Sequence, residues 1–161
     1  MLPQIKYMKS SQLMKFCSEQ ITNCFIFKMN FDGCSKGNPG LAGAGAVIYE
    51  SNKEIWAKSE FVGTSSTNNE AEYKGLIMGL QKAVEMNIKE LYVEGDSLLV
   101  IKQMKGEYKV NSINLQYLYK TAKSLELKFD KIYYNHVYRN FNKRADELSN
   151  ISIIEYLEKN N

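Results

Sequence analysis

The segment TNNEAEYKGLIMGLQKAVEMNIKELYVEGD, residues 67–96, contains the two elements that decide the fold. Its apolar residues at helical spacing are Leu76, Leu80, Ala83 and Val84. Thr67 and Glu70 have the pattern of a capping box, so a helix is predicted to begin at this threonine. The run LYVEGD then predicts a short buried strand ending at Asp96, and the long helix before it favours parallel pairing with an earlier strand.

Three strands are predicted before this helix. FIFKMNF, residues 25–31, is rich in aromatic and branched side chains, and the turn signal Asp32-Gly33 is expected to end it. AVIYE follows the glycine-rich stretch 37–45, and Asn52-Lys53 separates AVIYE from EIWAKSEF. These spacings favour an antiparallel meander.

The remaining elements are two helices, one strand and a closing helix. SLLVIKQM (97–104) and SINLQYLYKTAKSLEL (112–127) have helical periodicity, whereas KIYYNHVY (131–138) is typical of a strand. Asn142 to about Leu157 is predicted as the closing helix. Ala145, Leu148 and Ser152 form a narrow stripe of mostly small residues on it, which allows close approach to a sheet.

Composition fits one domain. The chain has 161 residues, of which 44% are hydrophobic and 24% charged, enough for a sizeable core. We expect the domain at residues 25–158, an N-terminal extension at residues 1–24 that is partly helical, and a tail at residues 159–161. The net charge of +3 is compatible with a nucleic-acid partner but is common in other proteins too.

The cysteines and the N-terminal extension are informative about the cellular compartment of the protein. The odd set Cys17, Cys24 and Cys34 has no zinc-site spacing, which favours reduced thiols in an intracellular compartment, the cytoplasm or nucleus. No run of the sequence is apolar for long enough to span a membrane. The lysines and serines of residues 1–24 resemble an organelle transit peptide only weakly.

The acids fall at chemically informative places. Asp32 and Asp96 each end a strand predicted to be parallel to the other, so both carboxylates should emerge at the sheet edge where α/β proteins bind ligands. In the following helix Glu72 shares its face with leucines and points inward, while Glu70 points outward. A buried acid is rare unless it is paired or bound to a metal. Asp146 fits an ordinary helix-start acid as well as a functional one.

Five separated motifs follow one another along the chain: Asp32-Gly33, Gly37-Asn38-Pro39-Gly40, Thr67-Asn68-Asn69-x-Ala71-Glu72, Gly95-Asp96-Ser97 and Asn142-x-x-Ala145-Asp146-x-Leu148. In order and spacing they resemble the motif set of the type 1 ribonuclease H family, over roughly residues 25–149. The resemblance implies an α/β fold with a five-stranded mixed sheet of three antiparallel then two parallel strands, order 3-2-1-4-5, and helices on both faces. It also implies hydrolysis of the RNA strand of RNA–DNA hybrids by a monomer.

The resemblance carries over to individual residues. Asp32, Glu72, Asp96 and Asp146 match the acids that hold two Mg²⁺ or Mn²⁺ ions. Asn38, Asn68 and Asn69 match positions that read ribose 2′-hydroxyls, and Thr67 matches a phosphate contact; turn and cap chemistry explains the same residues otherwise. Arg139 stands where the bacterial branch has a loop histidine, as in the plant and archaeal branch, whereas His136 fits a structural role. The basic protrusion of bacterial members is missing, which predicts weak, salt-sensitive binding.

Three other readings remain open at this point. Gly40-x-x-Gly43-x-Gly45 superficially suggests a dinucleotide loop, but it precedes a strand and not a helix. A DNA nuclease or resolvase could share the fold and the acids. A non-catalytic hybrid-binding module is the third alternative, and it should have lost at least one acid.

Overall fold

The computed structural model describes residues 25–161, which form one mixed sheet with helices on both faces. The strands are β1 (Phe27–Lys36), β2 (Gly40–Glu50), β3 (Lys53–Ser66), β4 (Glu90–Gly95) and β5 (Lys131–His136). Their order is β3-β2-β1-β4-β5, with antiparallel pairing among the first three and parallel pairing of β4 with β1 and β5. The predicted fold class and strand order are confirmed; the expectations for residues 1–24 lie outside the described residues.

The helices are α1 (Asn68–Glu85), α2 (Leu98–Met104), α3 (Ile113–Glu126) and α4 (Lys143–Asn160), with a 3₁₀ turn at Arg139–Phe141. The capping box predicted at the start of α1 is present, because the Thr67 hydroxyl accepts from the Glu70 amide and the Glu70 carboxylate accepts from the Thr67 amide. α4 continues past Leu157 into the residues expected to form a tail. No helix in the described range is long and apolar enough to cross a membrane.

The first strand does not end where the sequence predicted. β1 continues through Asp32 and Gly33 to Lys36, because these residues go on pairing with β2 after the parallel pairing with β4 has stopped at Phe31. Gly33 is therefore not a turn residue. A Cβ atom on it would lie 2.1 Å from the backbone of α1, so its missing side chain is what lets α1 approach the strand.

The glycine-rich stretch also has a different role from the one predicted. Only residues 37–39 precede β2, in the turn after β1, whereas residues 40–45 form the first half of that strand. A Cβ on Gly43 or Gly45 would lie 2.1 Å from the Ser152 hydroxyl or 2.6 Å from Leu148 Cβ, so these glycines admit α4 onto the sheet. This confirms the close-packing stripe on α4. It also removes the dinucleotide-loop reading, since the glycines pack inside a strand.

The β2–β3 turn is one residue earlier than predicted. Ser51 and Asn52 occupy it, with φ of 47° and 67°, and Lys53 already pairs with Glu50. Positive φ at both central residues is typical of two-residue hairpin turns, whose twist matches that of the flanking strands. Asparagine tolerates this conformation well.

The two faces of β1 have different environments. Met29 and Phe31 are fully buried in the apolar cluster that also contains Leu76 and Leu80 of α1. Burial of one such side chain contributes roughly 1.5–3 kcal/mol. Asp32 is on the opposite face and contacts α4. The alternation along β1 thus fixes the acid between the sheet and the last helix.

Candidate metal centre

Three carboxylates converge at the carboxyl edge of the parallel strands. Asp32, Glu72 and Asp96 each offer an oxygen, and these oxygens all lie within 4.8 Å of one another. Asp32 and Asp96 are neighbours because each directly follows the last pair, Phe31 with Gly95, of the β1–β4 ladder. Glu72 joins them because the first turn of α1 lies against Gly33.

Burial and mutual repulsion act strongly on this cluster. Asp32 and Glu72 are buried, with 4% and 8% of their surface exposed. Burial is the main reason that the pKa of Asp32 rises to about 7; the Ser149 hydrogen bond opposes this rise, and the charges of Asp96 and Asp146 add to it. The pKa of Glu72 is raised well above its ordinary value by burial first and by Asp32 and Asp96 second. The site therefore holds negative charge only at a cost, which a bound cation would remove.

One oxygen of the cluster lacks a partner. Glu72 Oε2 is buried and receives no hydrogen bond within residues 25–161. An unsatisfied buried carboxylate oxygen is costly unless something outside the chain binds it. A set of carboxylate oxygens without thiol or imidazole matches the ligands of hard divalent cations. The residues at the edge therefore fit a metal centre.

Asp146 lies beside the three acids and is not within their group. Its carboxylate accepts a hydrogen bond from Arg139 Nη2 at 2.9 Å, and its side chain is 30% exposed. It is near enough to raise the pKa of Asp32. The structure thus brings together three of the four acids that the sequence singled out and places the fourth at the rim, in an ion pair.

A cavity of about 230 Å³ opens onto the acids. Asn68, Asn69, Cys34 and Arg139 line it together with the three carboxylates. His136 does not line it; a ring nitrogen of His136 is 3.2 Å from the backbone oxygen of Asp96. Arg139 therefore has access to anything bound at the acids, whereas His136 supports the backbone beneath them.

Of the predicted substrate-contact residues, Asn68 and Asn69 line this cavity, whereas Asn38 and Thr67 lie next to them and do not line it. Asn38 Oδ1 accepts from the Asn68 amide at 3.0 Å, and Asn68 Oδ1 accepts from the Ser35 amide at 2.6 Å. These bonds tie the β1–β2 turn to the start of α1. Thr67 has the capping role described above. The turn and cap chemistry that the sequence offered for these residues is therefore real, and their contacts with a substrate remain predictions.

Ser149 was not singled out from the sequence, and Asn142 was named there only as the first residue of the last motif. Ser149 Oγ lies 2.6 Å from Asp32 Oδ2 and 2.8 Å from the backbone oxygen of Asp146. Asn142, 2% exposed, donates to the Phe31 carbonyl at 2.9 Å and so holds the start of α4 against β1. The spacing of Ser149, three residues after Asp146, was the available signal, since residues three apart share a helix face.

Comparisons with known proteins agree with this geometry. A family model described as "Reverse transcriptase-like" matches residues 30–152. The bifunctional protein Rv2228c of Mycobacterium tuberculosis is 44% identical over 120 residues, which cover 74% of this chain and 33% of that protein. Ribonuclease HI of Halobacterium salinarum is 38% identical over 120 residues, covering 74% and 60% respectively. The chain thus spans about a third of the mycobacterial relative and 60% of the Halobacterium one.

Solved structures show the same fold. The N-terminal RNase H domain of Rv2228c, fused to maltose-binding protein, has a TM-score of 0.79 at 38% identity, covering 84% of this chain and 98% of the other. RNase H1 from Halobacterium salinarum has a TM-score of 0.76 at 34% identity, covering 80% and 98%. LC11-RNase H1, solved in complex with an RNA/DNA hybrid, has a TM-score of 0.76 at 32% identity, covering 81% and 99%.

The sheet with acids at its parallel edge and the agreement with these structures define a ribonuclease H-like α/β protein. The chain belongs to the type 1 ribonuclease H family.

Proposed function

We propose that the chain is an endoribonuclease that hydrolyses the RNA strand of RNA–DNA hybrids with two divalent cations, leaving 3′-hydroxyl and 5′-phosphate ends. The observation that carries this proposal is the cluster of Asp32, Glu72 and Asp96, in which the buried Glu72 Oε2 receives no hydrogen bond from any residue of 25–161. The hybrid seen in the LC11-RNase H1 complex supports the substrate class. Retention of every acid disfavours a binding module without catalysis.

The residues that would hold the cations are Asp32, Glu72 and Asp96, with Asp146 completing the second position once it leaves Arg139. Oxygen ligands alone favour Mg²⁺ or Mn²⁺. When bound, a pair of such ions neutralises charge on the attacking and leaving oxygens of a phosphodiester. Asp32 would be shared most widely among these ligands, because its carboxylate lies within 4.8 Å of those of Glu72 and Asp96 and also contacts Ser149 of α4.

Arg139 is proposed to assist the reaction from the rim. Its side chain is 74% exposed, and its guanidinium is held only by Asp146 among the described residues. If Asp146 turns to a cation, the guanidinium is free to bind a phosphate oxygen of substrate or product. Product release by Arg139 would then depend on whether Asp146 is bound to a cation.

The asparagines in and beside the acid cavity are proposed to select the hybrid. Asn38, Asn68 and Asn69 can donate and accept hydrogen bonds, which suits them to read 2′-hydroxyls of the RNA strand in a minor groove. Thr67, at the positive end of α1, is proposed to contact a backbone phosphate. Recognition of the 2′-hydroxyl distinguishes this substrate from duplex DNA.

A substrate panel tests the proposal. Wild-type protein is incubated with an RNA–DNA hybrid, duplex DNA and duplex RNA, each with Mg²⁺, with Mn²⁺ and with chelator. We expect cutting of the hybrid's RNA strand only, and none with chelator or in Asp96→Asn, which should still bind the hybrid. Equal cutting of duplex DNA would favour the related DNA nuclease or resolvase, and cleavage in chelator would exclude the metal mechanism.

We propose a monomeric, intracellular enzyme, with a reduced Cys34 that forms no disulfide in the described part of the chain. Sedimentation of the purified full chain tests the first point. A stable dimer at micromolar concentration would contradict it.

A further inference from the structure

A second cavity, of about 220 Å³, lies at the start of α4 and shares no lining residue with the acid cavity. We call it the α4 cavity. Asn30 and Lys28 of β1 and Tyr49 of β2 line one side, and residues 140–145 line the other. Asn142 separates it from the acids, since its side chain donates to the carbonyl of Phe31, the residue before Asp32.

Asn30, in the wall of the α4 cavity, has a buried polar atom that no described residue hydrogen-bonds. The residue is 5% exposed, and its Nδ2 donates to Glu94 and Asn142 at 3.1 Å each. Its Oδ1 is buried and has no hydrogen-bond partner within residues 25–161. A buried amide oxygen of this kind favours a ligand that carries a hydrogen-bond donor.

The opposite wall favours an anion. α4 has 18 residues, and Asn142 at its N-cap position makes no side-chain cap, so the first amides of the helix are available to a ligand. Lys143 is exposed and forms no ion pair with any described residue, whereas Arg144 is already engaged by Glu54 and Glu147. The free positive charge at this wall therefore comes from Lys143 and the helix start.

The rim adds an aromatic surface. Phe141 lines the α4 cavity and is 70% exposed, directly before the helix. An exposed ring next to a phosphate-binding helix start is the combination that single nucleotides use, because every base can stack on an aromatic face. A nucleotide also carries amino and hydroxyl groups, which can donate the hydrogen bond that Asn30 Oδ1 does not receive from the described chain.

We propose that the α4 cavity binds a single unpaired nucleotide, with its phosphate at the start of α4, its base on Phe141 and a donor group toward Asn30. The ligand chemistry is a nucleoside monophosphate. It can come from free nucleotide or from an unpaired end of an RNA strand. The proposal does not depend on the cleavage reaction, because the acids are not part of this site.

The test is an NMR titration of the full chain with 5′-AMP in chelator, which prevents metal-mediated binding at the acids. We expect saturable shifts of the Lys143, Arg144 and Ala145 amides and of the Asn30 side-chain amide. Inorganic phosphate and adenosine should each bind more weakly, because neither links both contacts. Absence of saturable shifts at millimolar 5′-AMP would overturn the proposal.

Variants locate the binding. Phe141→Ala and Lys143→Ala should each weaken 5′-AMP about tenfold, the effect of losing one stacking or charged contact. Tyr117→Ala and Lys159→Ala remove exposed side chains of similar type elsewhere and should change nothing. All four positions are exposed, so the melting temperature should stay the same. Wild-type affinity in both cavity variants would overturn the proposal.

A second arm distinguishes the two sources. Asp96→Asn protein in chelator is titrated with a blunt hybrid and with a hybrid bearing a short RNA overhang. If the overhang hybrid binds more tightly than the blunt one, and this difference disappears in Asp96→Asn/Phe141→Ala, the RNA strand is the source of the nucleotide. If the two hybrids bind equally while 5′-AMP still binds, the source is free nucleotide. Cleavage of a blunt hybrid, measured separately, reports on the proposed function alone.

Discussion

At the scale of single residues, two glutamates near the start of α1, two positions apart, have opposite roles. Glu72 is buried among the acids with an unpartnered oxygen, whereas Glu70 caps α1 through Thr67. Glu72→Gln should lower hybrid cleavage at least about a hundredfold, since a lost metal contact costs several kcal/mol in the transition state. Glu70→Gln should retain activity, because glutamine also completes a capping box. Single-turnover rates of the two variants compare them, and a reversed ranking would contradict the assignment.

Ser149 acts on Asp32 through one hydrogen bond. Because that bond lowers the pKa of Asp32, Ser149→Ala should raise the Asp32 pKa above its value of about 7 in the metal-free protein. Carbon-detected NMR titration of the carboxyl group measures the shift. Ser152→Ala is the matched control, because the Ser152 hydroxyl donates to the Ser149 carbonyl and makes no hydrogen bond to an acid within residues 25–161. An unchanged midpoint in Ser149→Ala would show that the hydroxyl does not tune the acid.

At the scale of elements, sequence periodicity predicted the type and chain order of the five strands and four α-helices in the described range, but not the 3₁₀ turn at Arg139–Phe141. It failed at the first strand's end and at the glycine-rich stretch, where local turn propensity was overridden by tertiary packing. Gly33 and Gly43 have no side chain because a helix backbone occupies that space, and such distant contacts leave no local signal. The same limit applies to Asp146, whose ion pair with Arg139 depends on how α4 docks.

Gly33 is the residue through which α1 and β1 meet, and its substitution tests that contact. Gly33→Ala places a Cβ 2.1 Å from backbone atoms of Ala71 and Glu72, which cannot rotate away. We expect a loss of about 2 kcal/mol or more in unfolding free energy and weaker metal binding, as overpacking displaces Glu72. Urea unfolding measures the first effect.

The control for this substitution is Gly63→Ala in β3. The nearest atom to its added Cβ is the Ser66 hydroxyl at 3.0 Å, the end of a side chain that can turn aside. This variant should lie within about 0.5 kcal/mol of wild type. Equal stability of the two variants would mean that α1 does not need the space at Gly33.

At the scale of the whole molecule, the buried acids make stability depend on pH. In the unfolded chain, Asp32 and Glu72 have ordinary pKa values of 3.8 and 4.5, so both lose their protons near pH 4. In the folded protein the pKa of Asp32 is about 7, and the pKa of Glu72 is raised well above 4.5. The folded state thus binds more protons across this window, so stability falls as pH rises through it.

This linkage gives a measurable outcome. Metal-free protein should melt at a higher temperature at pH 5 than at pH 8, and Mg²⁺ or Mn²⁺ should restore stability at pH 8 by binding the ionised acids. Glu72→Gln should show a smaller fall, because one of the two groups no longer titrates. A melting temperature that rises from pH 5 to pH 8 in chelator would contradict the raised pKa values.

The central claim is that Asp32, Glu72 and Asp96 bind divalent cations directly, and calorimetric titration of Mn²⁺ into metal-free protein tests it without any substrate. Wild type is compared with Asp32→Asn, which removes one carboxylate charge while keeping the side-chain shape. We expect saturable binding at pH 8 by the wild-type protein and its loss in the variant. Identical Mn²⁺ isotherms for the two proteins would contradict the account.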